Sequence, residues 1–366
     1  MEVTAGQVAW ESPSNIALVK YWGKLPGQIP MNASVSFVLK ASVVRISMAW
    51  QPAGAEGVGL KDFLLNGEPH DGFRQRIASY LESLYPYFPF LQGMALSVKS
   101  ESTFPHSAGI ASSAAAFSAL ALCLCHMEQL LLGRAVGATP ASGDLGKSMI
   151  TDSRFLQKAS FFARLGSGSA CRSLESGFVV WGETPAVPGS GNEAGVRVQD
   201  DQVDQRFFTL RDAILVIDDA EKKVSSSAGH ALMNAHPYRE PRIGQATANM
   251  EKILAAMRSG DEALFFSVLE NEALSLHSLM MSSDPGYVLM KPSTLLVLEK
   301  IWAFRERSGL ALGFTMDAGP NIHLIYFERD ADRIRSFIAE ELMPYLAGGT
   351  WIDDGIGQGP VPVRPF

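Results

Sequence analysis

A stretch rich in glycine and serine stands directly before a run of small apolar residues, "FPHSAGIASSAAAFSAL" at 104–120. The start of a helix leaves several backbone N–H groups without intrahelical partners and carries the positive end of the helix dipole. Glycine and serine there leave room for an anion to approach the backbone, so the pattern predicts a phosphate-binding loop. The alternative is that Ser107 or Ser112 only caps a buried helix, and this stretch alone does not decide between the two.

Two lysines enclose a Tyr-Trp-Gly sequence in "NIALVKYWGK" at 15–24. Lys20 and Lys24 provide two cations, and the aromatic and glycine residues between them provide a donor and a place for close approach. A phosphorylated substrate requires such groups. The alternative is a pair of surface lysines that flank a tryptophan of the core.

An arginine and an aspartate stand in two further polar segments. Arg172 follows the glycine and serine residues of "GSGSACRS" at 166–173, and its planar guanidinium suits a carboxylate or a phosphate. Asp317 follows an apolar segment in "TMDAGPN" at 315–321, where a strand can deliver a carboxylate to a cleft. A surface arginine beside a turn and an aspartate that caps a turn are the alternatives.

Segments with strand and helix character alternate along the chain, which predicts an α+β fold of two joined lobes. Strands are expected at "NIALVKYW", "SVSFVLK", "SVVRISMAW", "MALSVKS", "SGFVVWGE" and "AILVIDD", and two more around "LGFTMDAGPNIHLIYF". Helical spacing follows at 72–84, from 112 to about 132, and at 147–165, 246–257, 261–280 and 293–309, with a last helix at 330–342. The turn-forming residues of "TPAVPGSGNEAG" at 184–195 predict an exposed loop.

Composition limits the classes of partner. The chain has 366 residues, of which 47% are hydrophobic and 19% charged, as in globular proteins. Its net charge of −7 argues against broad, charge-driven binding to nucleic acid or to an anionic membrane. Three cysteines without a metal-binding spacing or a disulfide framework, and a first segment without secretory-signal character, predict a cytoplasmic protein. The apolar run at 114–125 is shorter than a membrane span and predicts a buried helix.

Seven segments in sequence order together resemble the diphosphomevalonate decarboxylases of the GHMP kinase superfamily. They are "NIALVKYWGK" at 15–24, "MNASVS" at 31–36, "LNGEPHDGFRQR" at 65–76, "FPHSAGIASSAA" at 104–115, "GSGSACRS" at 166–173, "KKVSSS" at 222–227 and "FTMDAGPN" at 314–321. The chain differs from the usual family pattern in having "SESTFPHSAG" before the helix, Ala116 in place of a common glycine, and an apparent insertion at 184–195.

The resemblance implies a fold and a reaction. The fold is GHMP kinase-like, with a ribosomal protein S5 domain 2-like N-terminal lobe (1–205, ATP-binding), a ferredoxin-like C-terminal lobe (206–366, carrying the catalytic aspartate) and the active site in the cleft between them. The reaction is the ATP-dependent decarboxylation of (R)-5-diphosphomevalonate to isopentenyl diphosphate in the mevalonate pathway of isoprenoid biosynthesis. ADP, phosphate and CO2 are released, and ATP and Mg²⁺ are the implied cofactors. A homodimer is expected from the family.

The resemblance also implies the roles of individual residues. Asp317 orients or deprotonates the 3-hydroxyl, Lys20 supports it electrostatically, and Arg172 and Asn15 hold the carboxylate. Around the diphosphate it implies Tyr21, Lys24, Arg76, Ser226 and Ser227. The further substrate-binding residues that it implies are Trp22, Gly23, Ser167, Gly168, Ser169, Ala170 and Cys171. The implied ATP-binding residues, of which the last two also bind magnesium, are Ser107, Ala108, Gly109, Ile110, Ala111, Ser112 and Ser113.

Three other functions stay open from the residues. Two are enzymes of the same superfamily: a decarboxylase of 5-phosphomevalonate, and a kinase that stops after phosphorylating the 3-hydroxyl of mevalonate. The third is a non-catalytic binding protein that retains the fold. Asp317 together with Arg172 favours full decarboxylation over the two related enzymes, and the combination of Lys20, Arg172 and Asp317 argues against a non-catalytic binding protein.

Overall fold

The structure, a computed structural model, describes residues 5–54, 57–105, 110–135, 148–220 and 224–366. Within these ranges the strands are β1 (Gly6–Val19), β2 (Lys24–Leu25), β3 (Ile29–Pro30), β4 (Ser34–Pro52), β5 (Gly59–Leu65), β6 (Glu68–Pro69), β7 (Met94–Ser102), β8 (Phe178–Trp181), β9 (Val196–Arg197), β10 (Leu210–Leu215), β11 (Leu312–Thr315), β12 (Ile322–Phe327), β13 (Trp351–Gly355) and β14 (Val361–Pro362). The α-helices in the same ranges are α1 (Asp71–Ser83), α2 (Ser112–Ala135), α3 (Ser153–Gly166), α4 (Ser226–Leu232), α5 (Arg239–Ser259), α6 (Glu262–Met281), α7 (Pro292–Ser308) and α8 (Ala331–Phe337).

The first sheet is built around two long antiparallel strands, β1 and β4. Its strand order is β14-β1-β4-β7-β5-β6, and β8 extends it by pairing with the first part of β4. The ladder between β1 and β4 shifts register near Pro13 and again near Val19, so β1 is irregular where it approaches its end. Lys20 follows directly after this strand. The irregular end of β1 therefore sets the position of the first predicted catalytic residue.

The prediction of two separate strands at 34–40 and 42–50 is wrong, because β4 continues through both. Lys40 and Ala41 are exposed in the middle of the strand, which gave the sequence its apparent break. The side chain of Asp354, on β13, accepts hydrogen bonds from the backbone N–H groups of Lys40, Ala41 and Ser42 at 2.8 Å each. A carboxylate from the other sheet thus satisfies the backbone where the strand partner changes.

Helix α2 is a central helix of the hydrophobic core and packs against β1, β4 and α3. The apolar run at 114–125 underestimated the length of the apolar segment, because Ser112–Gly133 is long and apolar enough to cross a membrane by length and composition. Its apolar window is 78% buried inside the protein, however, so the prediction of a buried helix is confirmed.

The second sheet has the strand order β11-β12-β10-β13, with every neighbouring pair antiparallel. Helices α4 to α7 lie between β10 and β11 in the chain, and α8 lies between β12 and β13. This connectivity, strand-helix-strand-strand-helix-strand, is that of a ferredoxin-like fold. The prediction of a ferredoxin-like C-terminal half is confirmed, although no strand was predicted at the position of β13.

The two halves share one hydrophobic cluster. Phe207, Phe265 and Phe327 pack together within a cluster that extends to α2 and the first sheet. The last strand, β14, returns to pair with β1 through Trp10 and Pro362. The segment 184–195 is also less exposed than predicted, because Val187 is buried. It packs back on the first half of the chain.

Candidate active site

A cavity of 230 Å³ brings the four predicted polar segments together. The predicted residues that line it are Asn15, Lys20, Tyr21, Trp22, Lys24, Arg76, Ala111, Ser113, Ser167, Gly168, Ser169, Arg172, Ser226, Ser227 and Asp317. Four of these carry a formal positive charge and one, Asp317, a negative charge. The described lining is therefore strongly cationic, although the whole chain is acidic, and it suits a small ligand with several negative charges.

The centre of the cavity holds an ion pair between Lys20 and Asp317. The Lys20 ammonium lies 3.3 Å from Asp317 Oδ1, with side-chain exposures of 1% and 28%. Burial lowers the pKa of Lys20, and the Asp317 carboxylate opposes that shift. An ammonium beside a carboxylate in turn favours the ionised carboxylate. The partly exposed member of the pair, Asp317, thus presents its carboxylate to the cavity.

The turn that follows β11 holds Asp317 through its backbone. The N–H of Gly319 donates to the backbone oxygen of Asp317 at 2.7 Å, and His277 Nε2 donates to the same oxygen at 3.2 Å. The side chain meanwhile accepts from Lys20. The backbone oxygen therefore closes this turn while the carboxylate reaches the cavity, which argues against the reading of Asp317 as a mere turn cap.

A buried ion pair fixes the backbone of Lys20. Glu272, on α6, accepts from the Lys20 N–H at 2.8 Å and from both terminal nitrogens of Arg242, on α5, at 2.7 and 2.8 Å. The Lys20 carbonyl accepts from Arg242 at 3.1 Å and from the Asn32 amide at 2.9 Å. Both backbone polar groups of Lys20 are thus held by side chains, which positions the ammonium after the strand has ended.

The guanidinium of Arg172 is held by polar residues of the first sheet. Its Nε donates to Ser36 Oγ at 3.0 Å and to Asn15 Oδ1 at 3.4 Å, and Nη1 donates to Ser34 Oγ at 2.5 Å. Burial lowers the pKa of the guanidinium, but arginine remains charged in proteins. No carboxylate within 4.0 Å neutralises it among the described residues, so this buried cation has capacity for an anionic ligand.

A second pair of cations, Lys24 and Arg76, lines another part of the cavity. Burial and the charge of Arg76 lower the pKa of Lys24, and burial lowers the pKa of Arg76. The Lys24 ammonium donates to Gln28 at 3.1 Å, and the Arg76 guanidinium stacks 4.8 Å from the centre of the Phe117 ring. A negative charge placed beside these two cations would oppose both shifts, so this part of the cavity suits an anionic group.

Two glycines leave room for aromatic rings at the cavity wall. A Cβ on Gly168 would lie 2.7 Å from the Trp181 ring and 2.9 Å from the Tyr21 hydroxyl oxygen. A Cβ on Gly166 would lie 2.1 Å from the Phe117 ring, on which Arg76 stacks. The glycines of "GSGSACRS" therefore serve ring packing beside the site, in addition to any approach of a ligand to the backbone.

The structure describes only part of the segment that was predicted to bind ATP. Ser107, Ala108 and Gly109 lie outside the described residues. Of the others, Ala111 lines the cavity with a positive φ of 43°, and Ser113 lines it with its Oγ 3.2 Å from Ser167 Oγ. Ser112 begins α2, and Ile110 is buried with its carbonyl bonded to Ser14; neither lines the cavity.

Three predicted substrate residues support the wall instead of forming it. Ala170 and Cys171 are fully buried behind it, and Gly23 is buried with its N–H directed to His230. All three cysteines are free, as the sequence predicted. No group of three or more His, Cys, Asp or Glu side chains within the described ranges could hold a metal ion.

Comparison with known proteins identifies the family. Residues 12–190 match the model of the diphosphomevalonate decarboxylase-like N-terminal domain, and residues 213–352 match that of the mevalonate 5-diphosphate decarboxylase C-terminal domain. Diphosphomevalonate decarboxylase ERG19 of Gibberella zeae is 30% identical over 339 residues, which cover 88% of this chain and 81% of that protein. The chain belongs to the diphosphomevalonate decarboxylase family.

Solved structures of the family share the fold. Mevalonate diphosphate decarboxylase from Staphylococcus aureus is 24% identical, and the match covers 99% of each chain with a TM-score of 0.79. MDDEF in complex with MVAPP, AMPPCP and magnesium is 22% identical, with a TM-score of 0.79 and coverage of 99% of this chain and 100% of that one. The predicted GHMP kinase-like fold is confirmed.

Sequence reasoning missed several residues of this family member's site. The lining residues it did not name are Ala17, Gln28, Gly166, Ser225, His230, Leu276 and Ala318. It also missed Glu272 and Arg242, which lie 30 positions apart in the chain and whose pairing joins the consecutive helices α5 and α6. Charged residues on the predicted buried face of a helix would have been a signal for that pair, whereas nothing local in the sequence marks His230.

Proposed function

We propose that this protein catalyses the ATP-dependent decarboxylation of (R)-5-diphosphomevalonate to isopentenyl diphosphate, with release of ADP, phosphate and CO2, in the mevalonate pathway. Family membership supports the reaction. The observation that carries it is the Lys20–Asp317 pair, which shares one cavity with the buried cation Arg172 and the second cation pair Lys24 and Arg76. A base at the centre and cations around it match a substrate with a hydroxyl, a carboxylate and a diphosphate.

Asp317 acts on the 3-hydroxyl of the substrate. Its carboxylate orients the hydroxyl or accepts its proton as the oxygen attacks the γ-phosphorus of ATP, and ADP leaves. The buried ammonium of Lys20 stabilises the carboxylate and the charge that develops beside it. The phosphorylated oxygen then departs as phosphate while the C–C bond to the carboxylate breaks, so that its electrons form the double bond and CO2 is released.

Arg172 and Asn15 hold the substrate carboxylate in this proposal. The guanidinium lies close enough to Asp317 for the two charges to influence each other, as the raising effect of Asp317 on the pKa of Arg172 indicates. Asn15 donates to Ser169 O at 3.1 Å and to Ser173 Oγ at 2.8 Å, which fixes the amide beside Arg172. The protein's contribution is largely one of positioning and charge stabilisation.

The diphosphate of the substrate is surrounded by Lys24, Arg76, Tyr21, Ser226 and Ser227. The two cations lie close together, and the serines reach the same cavity from α4 in the other half of the chain. The remaining predicted substrate residues contribute through the wall: Trp22, Ser167, Gly168 and Ser169 line it, and Gly23, Ala170 and Cys171 support it. The substrate thereby contacts both halves of the protein.

ATP and Mg²⁺ are the proposed cofactors, and the residues present fit them in part. Ser113 lines the cavity at the start of a 24-residue helix, and the sequence segment before it contains the other proposed ATP-binding residues, Ser107, Ala108, Gly109, Ile110 and Ala111. Mg²⁺ in such enzymes is held mainly by substrate phosphates and few protein ligands, so a site with Ser112 and Ser113 agrees with the absence of an acidic cluster among the described residues.

We further propose a lobe boundary at 205/206, a homodimer and a cytoplasmic location. The boundary lies between the two matched domain ranges, 12–190 and 213–352. Three buried free cysteines agree with a reducing compartment. Light scattering coupled to size-exclusion chromatography measures the oligomeric state, and a monomer at micromolar concentration would contradict the dimer.

The function is tested by supplying ATP and Mg²⁺ with mevalonate, 5-phosphomevalonate or 5-diphosphomevalonate, and by measuring ADP and CO2 separately. We expect equal amounts of ADP and CO2 with 5-diphosphomevalonate. CO2 from 5-phosphomevalonate as the better substrate would indicate the monophosphate decarboxylase, ADP without CO2 would indicate the 3-kinase, and neither product would indicate a non-catalytic binding protein.

A further inference from the structure

His230, on α4, is held in one orientation at the cavity wall. Its ring lies between Tyr21 and Trp22, with ring-centre distances of 4.3 and 4.5 Å. Its Nδ1 lies 2.9 Å from the backbone nitrogen of Gly23, which donates its hydrogen. Only 8% of the residue is exposed. Two ring contacts and one backbone hydrogen bond therefore fix both the plane of the imidazole and its rotation within that plane.

This arrangement also fixes the tautomer. A nitrogen that accepts a hydrogen bond carries no proton, so the neutral ring must carry its proton on Nε2. Burial, with the positive charge of Lys24 as the next cause, lowers the pKa of His230 to about 3. The imidazole is thus neutral at physiological pH and presents a single N–H donor at Nε2.

The other ring nitrogen of His230, Nε2, has no role in the part of the protein that the structure describes. No described protein group forms a hydrogen bond with Nε2, and Nε2 is also not among the buried polar atoms that lack a partner. His230 lines the cavity together with Ser226 and Ser227, which lie four and three residues earlier on the same helix. Residues at these spacings share one face of a helix.

We propose that His230 is a substrate-binding residue whose Nε2–H donates a hydrogen bond to a phosphate oxygen of the substrate. The proposal deepens the function proposed above and rests on it. The phosphate end is favoured over the carboxylate end because two serines on the same face of α4 line the cavity with His230, and because Lys24, which lines it too, is the charge with the largest effect on the pKa of His230. A neutral donor adds direction to this end without adding a further cation to Lys24 and Arg76.

The alternative is that His230 only separates the rings of Tyr21 and Trp22. Two substitutions distinguish these roles. His230→Phe keeps a ring between the two aromatic residues but removes both nitrogens. His230→Gln removes the ring but can place an N–H near the position of Nε2. A donor role therefore predicts that Gln preserves binding better than Phe, and a spacer role predicts the reverse.

A matched control is His126→Phe. His126 is also buried, its Nδ1 accepts from Trp10 Nε1 at 3.1 Å, and burial lowers its pKa to about 4. It lies on α2 and does not line the cavity. The control thus makes the same chemical change in a similar environment, away from the proposed ligand.

The experiment measures the dissociation constants of 5-diphosphomevalonate and of inorganic pyrophosphate, together with thermal stability, for the wild type and the three variants. A hydrogen bond to a charged group is worth a factor of about 10 to about 100 in affinity, so we expect His230→Phe to weaken both ligands by about that factor. His230→Gln should stay within about threefold of the wild type, and His126→Phe should bind normally.

Binding of both ligands to His230→Phe with wild-type affinity would overturn the proposal, and so would better binding by Phe than by Gln. A ¹⁵N NMR spectrum of the histidine rings provides an independent readout: the Nε2–H tautomer of His230 is expected in the free protein, with a shift of that signal on addition of pyrophosphate. Because pyrophosphate binding does not require turnover, failure of the decarboxylation assay would count against the proposed reaction and leave this measurement decisive for His230.

Discussion

Asp317 is the residue on which the proposed chemistry depends most. Asp317→Asn keeps the size of the side chain but removes its charge and basicity. We expect turnover to fall by a factor on the order of 100 or more, as loss of a positioned base generally does, while the dissociation constant of 5-diphosphomevalonate changes less. The measurement is kcat beside substrate affinity and thermal stability.

The same variant tests the structural alternative. Asparagine is also a good turn residue, and the turn is closed by the backbone oxygen of Asp317, so the fold should survive. A stable variant with nearly normal turnover would show that Asp317 serves the turn alone. A stable variant that binds substrate but does not release CO2 is the outcome that the proposed function requires.

The guanidinium of Arg172 is expected to be irreplaceable by an ammonium. Its Nε and Nη1 already bond Ser36 and Ser34, which orients the plane of the group. Lysine keeps the charge but cannot reproduce the fork, so Arg172→Lys should lower kcat/KM by about 10-fold to about 100-fold. Arg164→Lys, at another buried arginine that lies outside the cavity lining, is the control and should retain turnover. Similar kcat/KM values for Arg172→Lys and the wild type would refute the assignment.

Residues of the site could be predicted from the sequence where chemistry and spacing are local. Lys20, Lys24, Arg172 and Asp317 stand in short polar segments within apolar surroundings, and all four line one cavity. His230 could not be predicted in this way, because its properties come from Tyr21 and Trp22, more than 200 positions away in the chain. Only the fold brings these rings together.

Among the elements, α5 and α6 position Lys20 through a buried ion pair. Burial by itself raises the pKa of Glu272, but the hydrogen bond and charge of Arg242, with Asn249 and the Lys20 N–H, reverse this effect and lower the pKa below its ordinary value. Glu272→Gln leaves the Arg242 charge without its partner. We expect a loss of about 3 kcal/mol in the free energy of unfolding, as for other broken buried pairs, and a lower kcat with a smaller change in substrate affinity.

The effect of Glu272→Gln should depend on pH with a definite sign. A carboxylate whose folded pKa is depressed stabilises the protein above its unfolded pKa and loses that contribution as the pH falls through the folded pKa. The stability difference between the wild type and the variant should therefore be constant above about pH 4.5 and shrink below it. Denaturant titrations at several pH values measure this difference.

A neighbouring carboxylate on α6, Glu270, provides the control for the role of Glu272. Glu270 bonds Arg305 at 2.6 Å and Trp302 at 2.9 Å, but neither it nor these partners line the cavity. Glu270→Gln should lower stability without a change in kcat. Equal losses of kcat in the two variants would show that Glu272 acts only through general stability, and not by positioning Lys20.

Elements were predicted well where a regular pattern ends at a turn signal, as at α1, α6 and β12. The pattern misled where long-range contacts replace a local signal. Strand β4 continues through its exposed residues Lys40 and Ala41, because the Asp354 carboxylate accepts hydrogen bonds from their backbone N–H groups. Such a contact, made over more than 300 positions, leaves no periodic trace in the strand itself.

At the scale of the whole molecule, the site is formed by both halves, and one hydrophobic cluster joins them. Arg76 and Lys24 come from the first half, whereas Ser226, Ser227 and Asp317 come from the second. The net charge of −7 did not indicate this local excess of positive charge, because it is a sum over the whole chain and does not show where the charges lie. Ligand binding should therefore stabilise the protein as a single unit.

The last prediction concerns this coupling between charge and stability. A ligand that binds only the folded protein stabilises it by about 2.7 kcal/mol at a concentration 100 times its dissociation constant. At equal concentrations, 5-diphosphomevalonate should raise the melting temperature more than mevalonate, because only the former brings phosphate charges to Lys24 and Arg76. Added salt should reduce the shift, since it screens the charges of the free ligand and of the open cavity. Differential scanning calorimetry measures these shifts, with Arg76→Gln as the variant in which the advantage of the diphosphate should shrink. Equal shifts from the two ligands in the wild type would contradict the assignment of Lys24 and Arg76 to the diphosphate. Two separate unfolding transitions, of which the ligand moves only one, would contradict a site shared by both halves.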